Sequence, residues 1–113
     1  MSWQIKVAHY FARNLKKLSK KHRSIHNDYE LLLKTLNDTP EIGTHWFTHN
    51  DNKISKYRLN ISGKKAGKSS GARVIYYKID KNFVIWLLAI YDKSVMANIS
   101  KNTVIDIIES EIP

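Results

Sequence analysis

Hydrophobic and polar positions along the chain change period several times, and each change marks an element. Trp3, Ile5 and Val7 alternate with Gln4 and Lys6, the period of two of a short half-buried strand. From Tyr10 to Lys21 the period lengthens. Phe11, Leu15 and Leu18 fall at i, i+4, i+7 among Arg13, Lys16, Lys17, Lys20 and Lys21, predicting an amphipathic helix with a basic outer face. Ser24 offers an N-cap to a second helix carrying Ile25, Tyr29, Leu32, Leu33 and Leu36, which Asn37 to Pro40 stops. The stretch Glu41 to Asn52 shows no period and reads as a connection, although Trp46 and Phe47 must find burial.

Period two returns at Ile54, with Tyr57, Leu59 and Ile61 on one face and Lys56, Arg58 and Asn60 on the other. A loop from Ser62 to Gly71 holds three of the chain's four glycines and three lysines. Arg73 to Ile79 is β-branched and aromatic, hence strand, and Asp80, Lys81 and Asn82 turn into Phe83 to Tyr91. That run is apolar at every position, as a central strand buried on both faces would be. Ser100 caps a last short helix with Val104, Ile107 and Ile108. The order strand, two helices, three strands, helix predicts an α+β fold. It has a small antiparallel-rich sheet of about four strands, two N-terminal helices on one face and a short C-terminal helix, all in one domain over residues 1–113.

Charge sharpens this picture. Nineteen Lys and Arg against ten Asp and Glu give +9, and no acid stands between Asn52 and Ile79. Such a field captures polyanions, so nucleic acid or an acidic protein segment is the expected partner. With no cysteine, disulfide, thiolate and Cys-type zinc chemistry are excluded. The longest apolar run is too short to cross a bilayer as a helix and no signal-peptide core opens the chain, so we expect no membrane and a cytoplasmic location.

Two motif matches fail on context. GKKAGKSS, Gly63 to Ser70, has three residues between its glycines where a P-loop needs four, and a strand rather than a helix follows. GKSSG, Gly67 to Gly71, fits the nucleophile-elbow pattern, but all five histidines precede Ser69 and no helix follows. The pairs His22 with His26 and His45 with His49 have i, i+4 spacing without an evident third ligand, so we expect neither metal nor cofactor. The lysine loop reads either as a hairpin tip that blunts an edge or as a phosphate-tracking flap carrying Lys64, Lys65 and Lys68. Beside it, Tyr76 and Tyr77 could stack unpaired bases, although each strand must also turn every second side chain inward.

The strings KYRLN, GKKAGKSSGARVIYY and LLAIYDKS, with FARNLKKLSKKH and NDTPEIGTH before them, closely resemble the RelE-type toxins of bacterial type II toxin–antitoxin pairs, particularly the HigB-like branch. The resemblance runs over nearly the whole chain. It implies a ribosome-dependent endoribonuclease that cuts messenger RNA, with a cognate antitoxin, the ribosome and mRNA as partners. By position, Lys56 and Arg58 match the family's basic pair on the second strand, Arg73 the arginine opening the third, and Lys93 a basic residue after the last. Some members use a tyrosine further on, where this chain has Ile99, so that role would pass to Tyr91 or be absent.

The chemistry implied is metal-independent attack of a ribose 2′-OH on the adjacent phosphate. Arg58 and Arg73 would stabilise the growing phosphate charge, Lys56 or Asp92 would act as base, and Lys93 would protonate the leaving oxygen. A non-catalytic RNA- or acidic-protein-binding module, or a ParE-like gyrase poison, is the alternative on the same residues.

Overall fold

The computed structural model describes residues 2–62 and 71–113. The lysine loop expectations, Lys64, Lys65 and Lys68 and the string Gly63 to Ser70, lie outside the described residues.

In chain order the elements are β1 (Gln4–Val7), α1 (His9–Lys21), α2 (Ile25–Asp38), β2 (Thr44–His49), β3 (Asn52–Leu59), β4 (Ala72–Ile79), β5 (Val84–Asp92) and α3 (Lys101–Glu111). They form an α+β fold around one mixed sheet of five strands in the order β1-β5-β4-β3-β2. Only β1 pairs in parallel, against β5; every other pairing is antiparallel. The sheet thus has one strand more than the four expected. The addition is β2, in the stretch read as a connection.

The reason that strand escapes a periodicity reading is local. Its ladder with β3 runs Thr44 opposite Lys56 and His45 opposite Ser55, then skips to Phe47 opposite Ile54. Trp46 is the extra residue of a β-bulge, which breaks the alternation that would announce a strand. The turn that follows is legible: Asn50 and Asp51 both take positive φ, 49° and 65°, as a two-residue hairpin turn requires.

The sheet separates two apolar clusters. On one face α1 and α2 bury Phe11, Leu18, Ile25, Leu32 and Leu36 against Leu59, Val74, Tyr76, Ile85, Leu87 and Ile90. On the other, α3 and the segment before it set Ile99, Val104, Ile107 and Ile108 against Ile54, Ile75, Tyr77, Leu88, Ala89 and Tyr91. Burial on both sides makes β5 the interior strand its unbroken apolar run predicts.

The helix ends differ from expectation in one case. Ser100 caps α3, accepting from the Thr103 N–H at 3.1 Å. Ser24 makes no side-chain cap on α2; its hydroxyl instead lies 3.1 Å from the Asp28 carboxylate, which also accepts from the Ser62 N–H. Helix α1 starts at Ala8 without a side-chain cap of its own. The Glu111 carboxylate reaches across from α3 to accept from the His9 and Tyr10 N–H groups.

Candidate active site

A row of three side chains crosses the three inner strands near one end of the sheet, on the face that α3 partly covers. Arg58 on β3 stands opposite Arg73 on β4, and Arg73 stands opposite Tyr91 on β5. Directly opposed residues on neighbouring strands hold their Cβ atoms about 5 Å apart. Two residues back along β3, Lys56 points to the same side, and Lys93 follows the end of β5, its backbone N–H bonded to the Gly71 carbonyl at 3.0 Å.

A second bulge sets the phase of this row. The β4–β5 ladder passes from Ile75 opposite Ala89 to Tyr76 opposite Leu87, leaving Leu88 unpaired. Strict alternation from Trp86 would carry Leu88, Ile90 and Asp92 on its face. With one residue inserted, Tyr91 joins Trp86 on the α3 face, while Ile90 turns to the α1 face. Asp92 turns away with Ile90. It is 6 % exposed, lies 3.3 Å from His22 at the end of α1, and accepts from the Ser94 N–H and hydroxyl at 2.9 and 2.7 Å. Of the two expected bases, Lys56 is on the site face and Asp92 is not.

The cations crowd one another. Burial, and then the like charges of Lys93 and Lys101, hold the Lys56 ammonium below its ordinary range. Lys101, the first residue of α3, was not among the residues expected at the site. No string signals it, because it reaches the row only once α3 has packed on the sheet. The Lys93 ammonium donates to the Ala97 carbonyl at 2.6 Å, which orders the loop carrying it. Tyr91 is 6 % exposed; burial raises its phenol above the usual range, with Arg73 and a hydrogen bond to the Ile99 backbone acting against that rise. Ile99 itself is buried in the α3-side cluster.

The two tyrosines expected to stack bases are committed elsewhere. Tyr76 is fully buried under α1 and α2, donating to the Pro40 carbonyl at 2.9 Å and accepting from the Gly43 N–H at 2.8 Å. Tyr77 is on the site side but 3 % exposed, its hydroxyl donating to the His49 carbonyl at 3.0 Å. Neither ring has an open face, so both correct the expectation that they stack RNA. Trp46 is a half-buried aromatic at the site, its ring centroid 3.8 Å from the Lys56 Nζ, with Phe47 packed edge-on at 4.9 Å.

Among the described residues no three His, Asp or Glu side chains gather as a metal site. His45 and His49 lie on a strand, where i, i+4 puts them roughly 13 Å apart. His45 instead meets Thr48 at 3.2 Å, and His49 meets Glu109 of α3 at 3.3 Å. No helix among the described residues is long and apolar enough to cross a membrane.

No protein-family model matches the chain. Solved structures do. The chain is similar to the free toxin RelE of Escherichia coli in a double arginine-to-alanine variant, at 18 % identity and a TM-score of 0.56 over 86 % of this chain and 90 % of that one. The chain has the RelE-like fold. Two further RelE-like neighbours were solved as complexes. The toxin–antitoxin complex RelBE2 of Mycobacterium tuberculosis matches at 15 % identity and a TM-score of 0.54, over 81 % of this chain and 99 % of that one. The archaeal RelE–RelB complex of Pyrococcus horikoshii matches at 21 % identity and 0.55, over 82 % and 97 %. The RelE-like fold matches the α+β class expected from the sequence, with its helices and sheet in the order given above.

Proposed function

We propose that this protein is the toxin of a type II toxin–antitoxin pair and a ribosome-dependent endoribonuclease of the HigB-like branch. It would cleave messenger RNA in the cytoplasm and be silenced by a cognate antitoxin. The observation that carries the reading is the opposed pair Arg58 and Arg73. Like charges directly across two strands destabilise a sheet, and an anion bound between them removes that cost. The RelE-like fold supports the same conclusion, since its neighbours include toxins crystallised with their antitoxins.

In this reading Arg58 and Arg73 grip the scissile phosphate and stabilise the charge that grows on it as the 2′-OH attacks. Guanidiniums suit the task because they stay protonated and bind two oxygens at once. Lys56 is the base: burial and its neighbours favour the neutral amine more than for a free lysine. Lys93, at the rim, protonates the leaving oxygen. Tyr91, opposite Arg73 on β5, supports that arginine. Positioning of the message by the ribosome supplies the remaining acceleration, so naked RNA is cut weakly.

Induced expression in a bacterial host tests this, with amino-acid incorporation followed and mRNA ends mapped. Wild type should stop translation and cut translated messages. Arg73→Ala should lower cleavage by about 10²–10³, the cost of removing one preorganised donor to a developing oxyanion. Soluble expression without arrest would favour a binding module; arrest with damaged DNA and intact messages would favour gyrase as target.

A further inference from the structure

The β2 bulge turns two consecutive side chains, Trp46 and Phe47, toward the site face. Both pack against the α3-side cluster, and both are only partly buried. Alternation would have sent one of them to the opposite side. Bulges re-aim side chains in this way, and the result here is an aromatic pair at the edge of the cationic row. Each ring carries a lysine: the Lys56 ammonium sits 3.8 Å from the Trp46 centroid, and that of Lys101 sits 5.4 Å from Phe47.

We propose that Trp46 is the stacking platform for an unpaired RNA base next to the cleaved phosphate, with Lys56 resting on the ring until the base displaces it. This rests on the RNA reading of the site. The separation between ammonium and ring matches the ordinary contact distance between stacked flat groups, so Lys56 holds the place a base would take. Lysine is a flexible chain ending in a point charge, and the exchange requires only its torsions to turn. Lys56 and Arg58 are two residues apart on one strand face, so an ammonium leaving the ring stays beside the phosphate that Arg58 and Arg73 bind. Stacking and base delivery thereby become one event.

The chain has three tryptophans, Trp3, Trp46 and Trp86, so fluorotryptophan labelling gives three fluorine resonances, and Trp46→Phe assigns that of Trp46. The probes are a short, unstructured 2′-O-methyl oligoribonucleotide, which cannot be cut, and an abasic oligomer with the same number of phosphates. The Trp46 resonance should shift with the first and not the second. Trp46→Ala should weaken oligoribonucleotide binding roughly 5- to 150-fold, the range for loss of one stacked base, with Trp46→Phe in between. Abasic affinity should be unchanged. Equal shifts with both probes would mean that a polyanion, RNA or acidic protein alike, only pulls Lys56 away, and would overturn the proposal. So would RNA binding that leaves the Trp46 resonance still. The wild-type titration decides even if Trp46→Ala misfolds. A stacked but uncut natural RNA on translating ribosomes would refute the nuclease reading while the platform stands.

Discussion

Tyr76 joins the two halves of the molecule through one hydroxyl. It ties Pro40 and Gly43, in the link before β2, to the centre of β4, and Gly43 is glycine for a steric reason. A Cβ there would lie 2.7 Å from the Tyr76 oxygen and 3.0 Å from the Lys56 carbonyl. Tyr76→Phe should therefore leave a buried donor and acceptor unmatched and cost about 1–3 kcal/mol in urea unfolding. Lys56 makes the other prediction at this scale. With its ammonium held below the ordinary lysine range, the neutral base is populated earlier as pH rises, so cleavage should increase with pH and level off below the 10.5 of a free lysine. Lys101→Gln removes a like charge, raises the Lys56 pKa and should shift the ascending limb of the pH–rate profile to higher pH.

At the scale of elements, the two ends of α3 have different tasks. Its first residue, Lys101, adds a cation, and its last, Glu111, caps the exposed N–H groups of α1. A carboxylate at a helix N-terminus is favoured by the free N–H groups and by the helix dipole. Glu111→Ala should lower stability by about 1 kcal/mol, measured as a shift in urea midpoint at constant slope. The elements were legible where a period was clean. Helices α1 and α2, strands β3 to β5 and the cap at Ser100 follow from spacing and caps. Strand β2 did not, because its bulge scrambles the alternation by which strands are recognised.

Across the whole molecule, the sheet sorts the side chains into two apolar clusters and gathers cations on one face. Lys56, Arg58, Arg73, Lys93 and Lys101 make five positive charges there. Single-stranded RNA binding should then weaken with salt at a log–log slope of about −3.5, from roughly 0.7 per neutralised phosphate. Arg58→Gln should flatten that slope by about 0.7 in a filter-binding or anisotropy titration.

The sequence by itself determined the α+β class, the basic character, and the placing of Lys56 and Arg58 on one side of their strand, because strand alternation is local and survives any arrangement of neighbours. It did not determine which end of β5 chemistry would face them. Tyr91 and Asp92 are adjacent, and a single unpaired residue at Leu88 decides between them. Likewise the unpaired Trp46 turns an apparent connection into an edge strand with an aromatic face beside the site. A bulge exists only as a mismatch between two strands, and Lys101 reaches the row only across a packed helix. Both are properties of pairs of segments far apart in the chain, so only the tertiary structure could decide them.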